Sequence, residues 1–250
     1  MIELKSKTQL EFMRKSAEIL VRVLNSIKRE AVPGVKTNFL DGIARDTILS
    51  AGAKCAFLGY KGYPKTICTS VNEEIVHGIP GERVLKDGDI VSIDAGVKLD
   101  GYFSDAAITV AIGNIDKNTQ KLIDVTREAL YKAIDVAMIG ARISDMSCAI
   151  QEHAESNKFS VIREFVGHGI GVCLHEDPQI PNFGQHGMGV RLKEGMVLAI
   201  EPMVSAGKWE AAISEDGWTA VTKDKSLTAH FEHTVAITGE GPVIMTDGIM

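Results

Sequence analysis

The chain has 250 residues, and its hydrophobic content of 45% supports the core of a single α/β or α+β domain. Lys and Arg total 27 against 33 Asp and Glu, so the net charge of −6 excludes the basic surface typical of nucleic-acid or anionic-membrane binding. Four cysteines without CxxC spacing, a charged amino-terminal stretch and the lack of a long apolar run predict a cytoplasmic protein without a signal peptide or transmembrane span.

Two amphipathic helices are predicted first in the chain. Apolar residues recur at helical spacing over residues 10–27, and Thr8 with Glu11 is predicted to form the capping box at the start. A second helix is predicted over residues 39–49 and ends near Gly52. Neither helix carries residues that indicate chemistry, so we expect both to cover the core.

A loop rich in glycine and aromatic residues is predicted within residues 57–81. Its tyrosines and Cys68 either line an apolar pocket or pack on the neighbouring sheet, and these residue types fit both interpretations. His77 ends a short apolar run, where a histidine is either a catalyst or a structural hydrogen-bonding group. The residues of this loop alone leave both alternatives open.

A β-hairpin is predicted around a two-residue turn at Asp100-Gly101. That turn pairs Asp105 with Gly96, which lies on the same face of the sheet as Asp94. The two carboxylates are then diagonal neighbours, roughly 7–8 Å apart at the backbone. Two acids held this close need a proton or a cation between them, whereas two partly exposed acids at strand ends would not. The hairpin therefore suggests a metal site.

The segment LKEGMVLAIE, residues 192–201, repeats LKDGDIVSID, residues 85–94, almost position for position. The first copy ends in Asp94 and the second in Glu201, each after an apolar strand. An internal repeat of this kind indicates two related halves, each of which delivers one carboxylate from the end of a strand.

Helices and a final strand are predicted around the second copy of the repeat. A long helix over residues 122–137 precedes a shorter one capped by Ser144, so helix pairs flank the strands as in an α+β domain. One continuous strand is predicted over residues 227–238, in which His230 and Glu232 share a face. Residues 241–250 are predicted to form a simple tail.

One histidine and several acids in apolar strands form the candidate metal site. His168 lies between two glycines, which let the backbone pass close to another group. Its carboxylate partners are predicted to be Asp94, Asp105, Glu201 and Glu232. Two divalent cations would neutralise these acids and could activate water for hydrolysis, and the oxygen-rich donor set favours Mn, Fe(II), Co or catalytic Zn. The chain lacks HExxH, GxSxG, Walker and complete GxGxxG motifs. Their absence excludes a zinc protease with both histidines on one helix, a serine hydrolase, a P-loop protein and a Rossmann dinucleotide-binding protein.

The chain resembles the type I methionine aminopeptidases of bacteria over nearly its whole length. Five motifs carry the resemblance, namely GYPKTICTSVNEEIVHGIPG, DIVSIDAGVKLDGYFSDAAITV, EFVGHGIGVCLHEDPQIPN, LKEGMVLAIEPMV and TAHFEHTV. The resemblance implies the pita-bread fold, an α+β architecture in which two pseudo-symmetric halves form a curved antiparallel sheet covered by helices. We expect one catalytic domain over residues 1–250, with halves at roughly 1–112 and 113–250.

The resemblance also implies roles for individual residues. Two divalent ions per chain (Co, Mn, Fe(II) or Zn) would be held by Asp94, Asp105, His168, Glu201 and Glu232. Glu201 would also act as general base, His175 would donate to the oxyanion, and His77 would contact the scissile nitrogen or the intermediate. The methionine pocket would be formed by Tyr60, Tyr63, Cys68, His77, Trp218 and Leu174.

Three positions depart from the pattern of the resembling family. Leu174 stands where an aromatic residue is frequent, and Phe57 stands where a smaller residue is common, so both are expected to reshape the pocket. His230 replaces a glutamine and is predicted to support the metal ligand Glu232.

The implied function is hydrolysis of the initiator methionine from nascent proteins and peptides whose second residue is small. The implied partners are peptides with an amino-terminal methionine, nascent polypeptides and, transiently, the ribosome, without nucleic-acid or membrane binding and with the chain as a monomer. One alternative is a proline-specific aminopeptidase of the same fold, although those relatives carry an additional amino-terminal domain. The other is a pita-bread binding module without catalysis, which the complete set of predicted ligands disfavours.

Overall fold

The computed structural model describes residues 2–249. Within them are four α-helices: α1 (Lys7–Glu30), α2 (Thr37–Ser50), α3 (Lys117–Asp135) and α4 (Ile143–Ser156). The strands of the first part are β1 (Lys54–Cys55), β2 (Ile67–Val71), β3 (Glu74–Val76), β4 (Ile90–Leu99) and β5 (Tyr102–Ala111). Those of the second part are β6 (Ser160–Val161), β7 (Val166–Gly169), β8 (Glu176–Pro181), β9 (Val197–Ile200), β10 (Met203–Ser205), β11 (Ala211–Ile213), β12 (Ala220–Thr222), β13 (Thr228–His230), β14 (His233–Thr238) and β15 (Gly241–Ile244).

The strands pair in four antiparallel sheets. Strands β1, β4 and β2 are neighbours in the first sheet, with β5 on the other side of β4, and β15, β14, β9, β7 and β8 follow in order in the largest. Two smaller sheets are β13-β10-β6 and β11-β12-β3. Because β3 pairs with β12, the two parts of the chain share a sheet, and one apolar core includes buried residues from both.

The predicted hairpin is confirmed in its register. Gly96 pairs with Asp105, and Leu99 pairs with Tyr102, so Asp100-Gly101 is a two-residue turn. Asp100 has φ of 49° and Gly101 has φ of 91°, as a type I′ turn requires at both central positions. The hairpin thus places Asp94 and Asp105 on one face of the sheet, as the sequence indicates.

The internal repeat has a structural counterpart. In each half the repeated segment forms a turn and then a strand, after a helix pair and three intervening strands. The residue before the second helix makes an isolated β-bridge to the residue just before the repeated segment. The two bridges are Lys36 with Val84 and Arg142 with Arg191. Gly88 and Gly195 have φ of 95° and 88° in the corresponding turns, and the strands begin at Ile90 and Val197. The boundary between halves near residue 112 stays a prediction.

The N-cap of helix α1 lies two residues earlier in the chain than predicted. Ser6 is the N-cap, its hydroxyl accepts from the backbone N–H of Gln9, and the Gln9 side chain accepts from the N–H of Ser6. The predicted capping box of Thr8 and Glu11 is therefore wrong, because both residues already lie inside the helix.

Three predictions for the second half are also wrong. Ser144 lies within the first turn of α4 after the N-cap Arg142, and its hydroxyl donates to the carbonyl of Met188. The final strand is interrupted at residues 231–232 between β13 and β14. Residues 241–244 are not a tail, since β15 pairs with β14 along its length.

Asp41 joins helix α2 to the start of β2. Its Oδ1 accepts hydrogen bonds from the backbone N–H of Thr66 at 2.8 Å and of Ile67 at 3.1 Å, and its side chain is buried. We expect Asp41→Ala to leave both donors unpaired and to lower the free energy of unfolding by about 1–3 kcal/mol. Urea denaturation measures this loss, with Asp46→Ala on the exposed side of α2 as control. Equal stability of the two variants would contradict the proposed role of these bonds.

Candidate metal centre and substrate cavity

One cavity of about 210 Å³ is lined by every residue predicted as a metal ligand, as a catalytic group or as part of the methionine pocket. It is lined by Phe57, Tyr60, Lys61, Tyr63, Cys68, His77, Asp94, Asp105, His168, Leu174, His175, Glu201, Trp218 and Glu232. Residues from both halves contribute, so the closure of the cavity depends on packing between distant segments of the chain. The sequence does not indicate Lys61 as a lining residue, because a lysine in a glycine-rich loop is usually a solvated surface residue.

Backbone bonds bring Glu232 to the hairpin acids. Glu232 lies in the interruption between β13 and β14, where its N–H donates to the carbonyl of Ala107 at 2.9 Å and its carbonyl accepts from the N–H of Ala107. Next to it, the hydroxyl of Thr234 donates to the carbonyl of Asp105 and accepts from the N–H of Asp105. The break in the strand therefore places a carboxylate from the end of the chain beside Asp105.

His168 presents one ring nitrogen to these carboxylates. Its Nδ1 donates to the carbonyl of Gly169 at 2.8 Å, so Nε2 carries no proton in the neutral ring. Nε2 lies 3.6 Å from Glu201 Oε1 and 4.0 Å from Asp105 Oδ2. Burial lowers the pKa of His168 to about 4, so that the imidazole is neutral at neutral pH and its Nε2 lone pair is free to bind a metal.

The carboxylates of the cavity are not compensated within the protein. Three oxygens are buried without a hydrogen-bond partner: Asp94 Oδ1, Asp105 Oδ1 and Glu232 Oε1. Burial, followed by repulsion from neighbouring acids, raises the pKa of Asp105, Glu201 and Glu232 well above the usual range. Burial also raises the pKa of Asp94 to about 7. Buried acids in this arrangement are stabilised by a cation among them.

The donor atoms fit a divalent metal. Asp105, His168 and Glu232 each offer one ligand atom, and these atoms lie within 4.8 Å of one another. The oxygens without partners belong to the same group of acids, so a metal would satisfy atoms that no protein donor reaches. Carboxylate oxygens with one imidazole nitrogen are typical of catalytic rather than structural metal sites.

His175 lies at the opening of the cavity beside His168. The two rings have centroids 4.2 Å apart, and His175 Nδ1 lies 2.9 Å from the Tyr60 hydroxyl. Desolvation, with contributions from His168, Lys61 and His77, lowers the pKa of His175 far below its usual range. When the Tyr60 hydroxyl donates to Nδ1, the neutral ring carries its proton on Nε2 and can donate it to a ligand in the cavity.

His77 is held in a strained backbone conformation at the end of β3. Its φ is 62°, which a non-glycine residue rarely adopts, and its ring packs edge-on against Phe165 with centroids 5.6 Å apart. The next residue, Gly78, has no room for a side chain, since a Cβ there would lie 2.3 Å from the carbonyl oxygen of Thr69. Burial lowers the pKa of His77, so this ring is also neutral.

The remaining wall of the cavity is apolar. The Tyr63 hydroxyl lies 3.0 Å from the carbonyl oxygen of Gly78, and the Tyr63 and Trp218 rings make a T-shaped contact with centroids 5.2 Å apart. Leu174 is 2% exposed and packs in the same apolar cluster as Phe57. Burial raises the pKa of Cys68, which therefore contributes a neutral thiol. An apolar pocket thus adjoins the acidic cluster directly.

The prediction for His230 is wrong in its partner. The strand breaks after His230, so its side chain does not share a regular face with Glu232. Its Nε2 is buried without a hydrogen-bond partner and lies 3.8 Å from Glu201 Oε2. The carboxylate next to His230 is therefore that of Glu201.

The model of metallopeptidase family M24 matches residues 11–239 of the chain. The chain belongs to metallopeptidase family M24. This M24 peptidase is 52% identical to methionine aminopeptidase 1 of Bacillus subtilis and 50% identical to the methionine aminopeptidase of Clostridium perfringens, each over 98% of this chain and 99% of the relative. Membership predicts the use of divalent metal, in agreement with the donor set described above.

Solved structures confirm the pita-bread fold of the M24 peptidase. The crystal structure of methionine aminopeptidase from Thermotoga maritima superposes with a TM-score of 0.97 at 47% identity, covering 98% of this chain and 99% of that one. Prolidase from Pyrococcus furiosus has a TM-score of 0.79 at 22% identity and covers 98% of this chain but 65% of its own, a likeness of fold alone. Among the described residues, no helix combines the length and apolarity that crossing a membrane requires.

Proposed function

We propose that the chain is a metal-dependent methionine aminopeptidase, which hydrolyses the amino-terminal methionine from proteins and peptides whose second residue is small. The observation that carries the proposal is the apolar pocket of Tyr63, Leu174 and Trp218 directly beside a cluster of uncompensated carboxylates. The near full-length similarity to methionine aminopeptidases supports the same activity.

Five residues would hold two divalent ions in this proposal. They are Asp94, Asp105, His168, Glu201 and Glu232, all of which line the cavity. When bound by these residues, divalent cations would lower the pKa of a water molecule towards neutrality and would polarise a carbonyl group. Co, Mn, Fe(II) and Zn all suit a set of carboxylates with one imidazole.

Glu201 is the proposed general base. Its carboxylate is 3.6 Å from His168 Nε2, inside the cluster of ligands, and repulsion from Asp94 and Asp105 adds to burial in raising its pKa. A carboxylate with a raised pKa accepts a proton from water more readily at neutral pH than an exposed one. Glu201 would then pass that proton to the leaving amine.

The two histidines outside the ligand set would handle the peptide. His175 would donate from Nε2 to the oxygen of the scissile carbonyl as negative charge develops there, with the Tyr60 hydroxyl fixing its tautomer. His77 would contact the scissile nitrogen from the other wall of the cavity. Both rings are neutral at neutral pH and can therefore donate or accept as their tautomers allow.

The apolar wall would select the first side chain by shape. An unbranched thioether is flexible and polarizable, and it contacts aromatic edges such as those of Tyr63 and Trp218 favourably. Phe57 and Leu174 complete this wall and would set how tolerant the pocket is of other unbranched side chains. The natural substrates would be nascent polypeptides in the cytoplasm, reached by a monomer in transient contact with the ribosome.

One assay separates this activity from its alternatives. Metal-free protein is supplied with Mn²⁺, Co²⁺, Fe²⁺ or Zn²⁺ and is offered Met-Ala, Met-Leu and Xaa-Pro peptides, with release of the first residue measured. We expect methionine release from Met-Ala and little from Met-Leu. Release from Xaa-Pro alone would favour a proline-specific peptidase, and no turnover with any ion would favour a binding module.

A further inference from the structure

The loop between β7 and β8 carries His175. It spans residues 170–175 and is closed by the pairing of Gly169 with Glu176, one residue after His168. The N–H of Phe103 donates to the carbonyl of Gly171, so the hairpin β4-β5 contacts the same loop. The position of the His175 ring therefore depends on how the short loop is held at its base.

Lys5 reaches the base of this loop from the segment that precedes α1. The side chain of Lys5 is 1% exposed, and its Nζ forms an ion pair with Glu176 Oε2 at 2.7 Å. A second pair with Glu3 Oε2 at 3.0 Å lies at the surface, where the Glu3 side chain is 59% exposed. A lysine is rarely buried unless it is paired. The partly buried partner of Lys5 is Glu176, which lies at the base of the loop that carries His175.

Two glycines from distant segments make room for Lys5. A Cβ at Gly171 would lie 2.2 Å from Lys5 Cε, and one at Gly195 would lie 2.7 Å from the Lys5 carbonyl oxygen. The N–H of Lys5 also donates to the carbonyl of Gly195 at 2.6 Å. Both the backbone and the side chain of Lys5 are therefore enclosed by the protein.

Glu176 connects the lysine to the backbone of the loop. Its Oε2 binds Lys5, while its Oε1 accepts a hydrogen bond from the N–H of Cys173 at 3.0 Å. The carboxylate thus joins the amino-terminal segment to a backbone position two residues before His175. Without the lysine, this partly buried carboxylate would lack a cation and would turn towards solvent, which would break its hydrogen bond with the Cys173 amide.

We propose that Lys5 is a positioning residue for His175, which acts by fixing Glu176 and thereby the loop that carries the imidazole. The inference rests on the proposed function, since it takes His175 as the donor to the oxyanion. The hydrogen bond from His175 to the oxyanion strengthens only as the transition state forms, so misplacing the ring lowers kcat more than it changes KM. A displacement of about 1 Å is sufficient for a large loss of rate.

The variants Lys5→Met and Glu176→Gln test the inference. Lys5→Met removes the charge but keeps the approximate length of the side chain. Glu176→Gln leaves one acceptor oxygen for two donors, Lys5 Nζ and the Cys173 N–H. Each is measured on a Met-Ala peptide with saturating metal, at a temperature where circular dichroism shows the variant folded. We expect kcat to fall by about tenfold or more in both, with KM changed by less than about threefold.

Hydrogen exchange at the Cys173 amide provides a second readout that does not depend on turnover. We expect faster exchange at this amide in both variants, with exchange in the strands of the core unchanged. Lys36→Met is the matched control, because Lys36 pairs with Glu82 at 2.7 Å on the exposed surface, far from the loop in sequence. The control should keep the wild-type kcat and the wild-type exchange at Cys173.

Unchanged kcat together with unchanged exchange at Cys173 in Glu176→Gln overturns the inference, even where Lys5→Met does not fold. A loss of stability without a loss of kcat in the folded variants overturns it as well, because it shows a structural role only. Failure of the proposed function looks different: in that case the wild-type protein itself releases no methionine, while the exchange experiment still reports on the loop.

Discussion

Asp105→Asn is expected to remove the stabilisation of the protein by divalent metal and to lower kcat/KM for Met-Ala by at least roughly 100-fold. Losing a residue that only hydrogen-bonds to a metal ligand already costs up to about 100-fold, so losing the ligand itself should cost at least as much. Asp105 Oδ1 is buried without a partner, and its other oxygen lies 4.0 Å from His168 Nε2. A metal in this group would bind both the carboxylate and the imidazole, so losing the charge of one ligand weakens the whole site.

Thermal unfolding separates this loss of binding from a loss of fold. In the wild type, metal at about 100 times its dissociation constant should add about 2.7 kcal/mol to the free energy of unfolding. Without metal, Asp105→Asn should be no less stable than the wild type, because the substitution removes a buried acid that repels Glu232 and Asp94. Asp46→Asn, on the exposed face of α2, should behave as the wild type in both conditions. Full metal stabilisation of Asp105→Asn would contradict the ligand assignment.

The register of the hairpin and the repeat of the strand ends could be predicted from sequence because both depend on local rules. A two-residue turn with positive φ at Asp100 and Gly101 fixes every pair of β4 and β5, and the period of two residues then decides which face each carboxylate occupies. In both copies of the repeated segment, a turn that contains a glycine with positive φ, Gly88 or Gly195, precedes the strand. Local chemistry determines these features, so they do not need the rest of the fold.

Features that depend on distant partners could not be predicted in the same way. The break before His233 exists because Glu232 pairs with Ala107, more than a hundred residues away in the chain. The strand β15 forms because β14 offers an edge, although its own residues suggest a tail. The burial of Lys5 depends on Glu176 and on Gly171, and no periodicity near the amino terminus indicates it. The pattern of residue types alone also cannot show that Ser6, rather than Thr8, is the N-cap of α1.

His175→Ala is expected to lower kcat for a Met-Ala peptide by roughly 10²–10³-fold with little change in KM, the range for removing one oxyanion donor. The reason is that the His175 ring lies beside His168, with its centroid 4.2 Å away, but is not itself predicted to be a ligand. Metal binding measured by titration calorimetry should therefore stay within about threefold of the wild type.

The Tyr60 hydroxyl distinguishes donation by His175 from simple filling of space. It lies 2.9 Å from His175 Nδ1, and Tyr60→Phe removes that partner while keeping the aromatic wall. If His175 acts as a donor through Nε2, this variant should lose part of kcat, about tenfold, because the ring then populates the other tautomer. The control His186→Ala removes an exposed imidazole, 63% exposed and paired with Glu152, and should leave kcat unchanged. Wild-type kcat in His175→Ala would assign oxyanion stabilisation to other groups. A tenfold loss in Tyr60→Phe without any loss in His175→Ala would place the hydroxyl, rather than the imidazole, at the reacting carbonyl.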